Sequence, residues 1–167
     1  MMKHQQLFCV ISLCLILVGT AFAKVGAFDS RHLEQLNATK KCQSCNLIRA
    51  NLAGVNLANS DLNKASLIGA DLSKTDLKGA IFNWSVLRMI SLRGSDLTGA
   101  KLIKVNLRKA DLTDANLSRS NLSGAYLREA NLTKANLHNA DLTDAILTGA
   151  VFCATIMPDG KTNNSGC

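Results

Sequence analysis

The sequence predicts a solenoid that turns one corner every five residues, and three observations predict it. Every fifth residue from Leu47 to Phe152 is Leu or Phe, twenty Leu and two Phe in twenty-two consecutive slots. Two residues before each lies a compact side chain, Ala in thirteen cases and Ser, Thr, Val, Ile or Cys45 in the others. The residue just before the Leu is Asn or Asp in fourteen of the twenty-two. A period of five is neither the ~3.6 of a helix nor the ~2 of a strand, so no single helix or flat strand holds these Leu on one face. A leucine-rich helical repeat is excluded as well, because its period is longer and not a multiple of five.

The first element, residues 1–23, stands apart from the array. Met1-Met2-Lys3-His4 is a short basic start, Leu7 to Val18 is almost wholly apolar, and Ala21-Phe22-Ala23 is a small-x-small cleavage pattern before Lys24. That combination reads as a secretory signal peptide. The apolar run is short of the ~20 residues of a comfortable membrane span; a retained N-terminal anchor is the alternative.

Residues 24–46 form a cap. Asp29-Ser30 starts a short helix running to about Lys40, with Phe28, Leu33 and Leu36 on its apolar side. A solenoid needs such a cover because its first coil exposes both interior and unpaired backbone.

The array occupies residues 47–152 and repeats the motif A-(N/D)-L-x-x openly, as in Ala50-Asn51-Leu52, Ala70-Asp71-Leu72, Ala130-Asn131-Leu132 and Ala140-Asp141-Leu142. In these motifs the chain resembles the pentapeptide-repeat family. The opening Lys41-Cys42-Gln43-Ser44-Cys45-Asn46-Leu47 and the ending from Cys153 to Cys167, with Met157-Pro158-Asp159-Gly160, resemble an exported subgroup of it. The resemblance implies an all-β fold, a right-handed four-sided (quadrilateral) β-helix with four pentapeptides per coil. The central Leu and the small residue two before it then point inward, and the other three point out. With coils ~4.8 Å apart, the array makes about 5.5 coils and a rod roughly 26 Å long. One large and one small side chain per side fill its narrow interior, and Asn or Asp, where it precedes the Leu, is placed to hydrogen-bond along the stack. Leu107→Ala is therefore expected to be costly and an outward change such as Thr113→Ala nearly free.

After Phe152 the pattern stops, and residues 153–167 form a polar, turn-rich tail.

The chain carries nineteen Lys and Arg against twelve Asp and Glu, a net of +7 that becomes +6 once residues 1–23, with Lys3, are gone. This balance favours weak attraction to anionic surfaces and argues against a DNA-mimicking topoisomerase protector, which must be acidic. No nucleic-acid partner is expected. Cys42, Cys45, Cys153 and Cys167 remain after cleavage, and an even number in an exported protein favours disulfides. Cys42-x-x-Cys45 is the sharpest local motif. A redox site wants it at the start of a helix after a strand, whereas Cys45 fills an inward corner of the first repeat, so a structural clip is preferred and a thiol-disulfide redox partner is the alternative. Zinc lacks four neighbouring ligands. Cys153 and Cys167 most simply close the tail over the last coil.

No catalytic constellation is legible, so no enzyme activity and no cofactor or metal is expected. His138 lies outward in register with Thr98 and Ser118 as a surface histidine, and the Asn-x-Ser/Thr triplets at Asn116, Asn121 and Asn131 are by-products of the repeat. Two surface features stand out. The array is least regular over 81–93, where the frame puts Ile81, Trp84, Val86 and Met89 outside as a candidate interaction patch. A local bulge that tucks Trp84 away is the alternative. Arg88, Arg108 and Arg128, twenty residues apart, stack as a candidate anion-binding ridge with Lys109 beside them and Arg93 on the adjoining side. The sequence thus points to a rigid, non-enzymatic interaction module of an exported compartment (periplasmic, lumenal or secreted), with a protein, an anionic surface or a polysaccharide as partner.

Overall fold

Corners build this molecule. The computed structural model describes residues 28–167, so the expected leader at 1–23 lies outside the described residues. Nearly every pentapeptide ends in a tight turn closed by a backbone hydrogen bond across it, as from Ala50 N–H to the Leu47 carbonyl at 3.1 Å. The third residue of every such turn in the array has a positive φ, between 53° and 72°, as a type II turn requires. Four corners return the chain onto itself. Parallel pairs join residues twenty apart, from Lys41 with Asp61 to Asn136 with Ile156, without a break of register.

The backbone hydrogen bonds account for nearly every donor in a repeat. The Leu N–H donates to the coil above (Leu52 to Asp71 at 2.8 Å), as does the N–H two residues later (Gly54 to Ser73 at 2.9 Å). The residue before the Leu donates to the coil below (Asp71 to Ala50 at 3.0 Å). That leaves the second turn residue, whose N–H points away from both coils. There the Asn or Asp side chain accepts it locally, as Asn46 Oδ1 does from Ile48 N–H at 3.2 Å and Asp71 Oδ1 from Ser73 N–H at 2.9 Å. The expected ladder along the stack is therefore mostly a set of local Asx turns. Contacts between coils are the exception, such as Asn116 Nδ2 to Thr98 Oγ1 at 2.9 Å.

The interior is a column of Leu and Ala. Leu47 to Leu137 and both Phe82 and Ile90 are buried. Inward hydroxyls replace the Ala methyl by donating to a carbonyl of the wall: Thr75 to Leu52 at 2.9 Å and Ser95 to Leu92 at 2.7 Å. Ser60 Oγ is buried without a partner. Thr113 departs from the frame. It stands at an outward position yet is buried, with its hydroxyl donating to Asp111 at 2.6 Å and accepting from Asn131 at 3.1 Å.

At the N-terminal end, helix α1 (Ser30–Thr39) lies over the first coil. Asp29 caps it, accepting the Arg31 N–H at 3.0 Å, and Arg31 holds the Asp29 carboxyl down at a pKa of about 2. Leu36 is fully buried, and Asp29 N–H donates to the Asn46 carbonyl at 3.1 Å. Phe28, expected on the apolar side, is exposed. At the other end, strands β1 (Thr155–Ile156) and β2 (Thr162–Asn163) form a short antiparallel hairpin. Ile156 and Pro158 accept the N–H groups of Leu137 and Asn139. Gly166 N–H donates to the Phe152 carbonyl at 2.7 Å, an approach so close that a Cβ on Gly166 would stand 2.7 Å from the Phe152 nitrogen. No helix among the described residues is long and apolar enough to cross a membrane.

Candidate interaction face

The register that stacks Val86 on Asn106 and Tyr126 also fixes what stands on either edge of that side of the rod. One edge carries the turn residues Lys64, Trp84 and Lys104; the other carries Arg88, Arg108 and Arg128, with Met89 and Lys109 next to them. The side with its two edges holds seven cations, these six charged residues and Arg49, against two carboxylates, Glu129 and Asp144. Of the nineteen Lys and Arg, Lys3 and Lys24 precede the described residues. Ten cations therefore remain elsewhere in the structure, against ten carboxylates. The net charge of the described chain sits on this one side.

Trp84, Val86 and Met89 of the candidate patch meet the candidate ridge here, whereas Ile81 lies on the preceding side, paired with Asp61 and Lys101. No bulge interrupts residues 81–93, since Ile81 pairs with Lys101 and Val86 with Asn106 in unbroken register. Trp84 is 55% and Met89 61% exposed, while Ile81 and Val86 are half-buried. The Lys104 ammonium lies 4.5 Å from the Trp84 ring centroid. Both Trp84 and Met89 occupy left-handed corner positions, φ 62° and 57°, where Gly or Asn is at ease and a bulky side chain costs about 1–2 kcal/mol. Sequence reasoning missed a second ring, Tyr126, 47% exposed at the centre of the same side. Its signal was present: Val86, Tyr126 and Ile146 each occupy the position before the Leu, where Asn or Asp would satisfy the turn N–H. Together with Asn106, Arg108 and Arg128, Tyr126 and Ile146 line a cleft of about 300 Å³.

The ridge is less uniform than its spacing predicted. Glu129 engages Arg108 at 3.2 Å and Lys109 at 3.3 Å, and the hydrogen bond from Lys109, reinforced by the Arg108 guanidinium, lowers the Glu129 carboxyl pKa against the opposing effect of desolvation. Arg93 turns to Asp111 at 2.9 Å on the adjoining side and does not join the ridge. Arg88 and Arg128 have no ion-pair or hydrogen-bonding side-chain partner among the described residues.

The cysteines lie at the two ends. Cys42 and Cys45 are joined, 0% and 2% exposed beneath α1, and Cys153 is joined to Cys167 in the more open tail. His138 is exposed beside the tail turn at Gly160.

A four-cornered solenoid with a twenty-residue register defines a quadrilateral β-helix. The family model "Pentapeptide repeats" matches residues 45–83, 82–114, 90–125 and 110–149, and the chain belongs to that family, whose solved members here are right-handed. Among solved structures, the chain is similar to Rfr23 from the cyanobacterium Cyanothece 51142, at 30% identity over 72% of this chain and 92% of that one, TM-score 0.62. It is also similar to HetL from Nostoc sp. strain PCC 7120, a protein involved in heterocyst differentiation regulation, at 39% identity over 74% of this chain and 60% of that one, TM-score 0.53. No curated protein matches the chain.

Proposed function

We propose that this protein is an exported, non-enzymatic rod of about 5.5 coils that uses the basic side bearing Trp84, Met89 and Tyr126 to engage a partner in the cell envelope or a lumen. One observation carries the reading: that side concentrates the net charge and holds bulky apolar residues at backbone positions that disfavour them. Every corner of the rod has this φ, so what distinguishes positions 84 and 89 is the exposed apolar side chain that each carries there. The leader pattern of residues 1–23 and the two disulfides support export, with Lys24 as the first mature residue. Burial of Cys42 and Cys45 speaks against the redox alternative, because thiol exchange needs access to a sulfur. A basic side speaks against the topoisomerase-protecting alternative, which rests on an acidic one.

Two measurements test the reading. Intact mass of the soluble exported protein should show Lys24 at its N-terminus, and retention of residues 1–23 would defeat export. A photo-crosslinking residue at position 84 should give a discrete adduct in cells, whereas one at Asn139 on the opposite side should not. Equal adducts, or none at either position, would defeat the assignment of the face.

A further inference from the structure

We propose that the partner of this face is an acidic polysaccharide, a ribbon of 1,4-linked sugars with one carboxylate each, lying along the rod. The proposal rests on the reading above and narrows it to one ligand class. Once the cations bound to Glu129 are set aside, five remain on this side without an ion-pair or hydrogen-bonding side-chain partner among the described residues: Arg49, Lys64, Arg88, Lys104 and Arg128. They occupy five successive coils, one each, and they alternate. Arg49, Arg88 and Arg128 stand on one edge, and Lys64 and Lys104 on the other. Lys64 and Lys104, and likewise Arg88 and Arg128, repeat after two coils, ~9.6 Å, so the two edges alternate with a mean step of one coil, ~4.8 Å, while Arg49 stands one residue off the Arg88 column, in that of Met89 and Lys109.

A two-fold ribbon of 1,4-linked uronate sugars has this same symmetry. Each sugar advances by about one coil, and successive carboxylates point to opposite sides of the ribbon. Each carboxylate then meets one cation, the Arg edge offering forked pairing and the Lys edge a point charge. Trp84, on the Lys edge with the Lys104 ammonium over its ring, and Tyr126, at the centre of the side, lie two coils apart, the interval of two sugars, and offer aromatic surface to the apolar faces of pyranoses. An extended acidic peptide fits worse. Its same-side residues recur every ~6.8 Å and fall out of step with the coils. An anionic membrane surface has no one-dimensional register to match at all.

The test is binding of the folded mature protein to polymannuronate oligosaccharides, with a neutral glycan of the same linkage, polyglutamate and anionic phospholipid vesicles as competitors for the assignment. Polymannuronate should bind most tightly and should weaken as salt rises. Arg88→Gln with Arg128→Gln, and separately Lys64→Gln with Lys104→Gln, should each weaken it by about tenfold. Lys74→Gln with Arg119→Gln, which removes the same charge from the opposite side, should change it by less than about twofold. Trp84→Gly should weaken binding while leaving the fold intact. Equal losses from either side of the rod, or polyglutamate or vesicles binding as tightly as polymannuronate, would overturn the proposal in favour of charge alone, a protein or a membrane. Absence of polymannuronate binding alongside a discrete adduct from position 84 would sink the polysaccharide and leave the interaction rod standing.

Discussion

The two ends of the rod solve the same problem to different degrees. Any solenoid exposes an interior and a row of unpaired donors or acceptors at each end. At the N-terminal end α1 covers the opening, a buried disulfide clips the first corner, and Leu47, Leu52 and Leu57 are as buried as any residue in mid-rod. At the C-terminal end the hairpin and the disulfide-closed tail cover the sides above Leu132, Leu137 and Phe152. They leave Leu142, Ala145, Leu147 and Ala150 only partly buried. The N–H groups of Leu142, Asp144, Leu147 and Gly149 have no carbonyl above them among the described residues. One end is sealed by packing, and the other is sealed over part of its perimeter. Since each coil touches only its neighbours, stability is graded along the rod and lowest where a neighbour is missing.

The sharpest way to break this comparison is to cut the same side chain at different heights. Leu107→Ala should cost about 2–5 kcal/mol, because coils above and below prevent collapse around the void. Leu147→Ala should cost about half as much, since part of that side chain already faces water. Denaturant unfolding of both variants measures it, and equal losses would mean the C-terminal end is covered after all. Removing the tail clip by Cys153→Ser with Cys167→Ser should cost about 3 kcal/mol. Under mild reductant the Cys153–Cys167 bond should open before the buried Cys42–Cys45 bond, as thiol trapping and peptide mapping would reveal. Hydrogen exchange should be fast at Leu142, Asp144, Leu147 and Gly149 and slow at Leu47, Leu52 and Leu57; the reverse order would invert the gradient.

Smaller effects sharpen the mid-rod reference. Thr113→Ala should cost about 1 kcal/mol rather than nothing, because Asp111 and Asn131 each lose a hydrogen-bond partner. Ser60→Ala should instead stabilise by about 1 kcal/mol, since it replaces an orphaned hydroxyl with the residue most common at its position. Smallest is the acid response of the N-terminal seal. The Asp29 carboxyl is depressed to about 2 by Arg31. Its contribution to the cap is therefore fully present above the usual carboxylate value of 3.8 and is lost as pH falls through about 2. Exchange of the α1 amides should stay slow to pH ~3 and quicken below it, and Asp29→Asn should abolish that step.

The sequence by itself determined that the chain turns one corner every five residues, because neither a helix nor a strand keeps Leu of that period on one face; four corners per coil is what the resemblance to the pentapeptide-repeat family implied. Corner, inward and outward positions could all be assigned by counting from Leu47. The helix cap was readable from Asp29-Ser30 and the spacing of Leu33 and Leu36. Three matters waited on the tertiary structure, and each depends on what lies one coil away. Thr113 is outward in the frame yet buried, with Asn131 of the next coil donating to its hydroxyl. Arg93 has the spacing of a surface cation, but Asp111 of the next coil claims it. Glu129 silences Arg108 and Lys109, so an apparent column of arginines becomes an alternating set of cations around Trp84 and Tyr126. Counting along the chain gives position, whereas pairing is decided by residues eighteen to twenty-one places away that only the closed coil brings together.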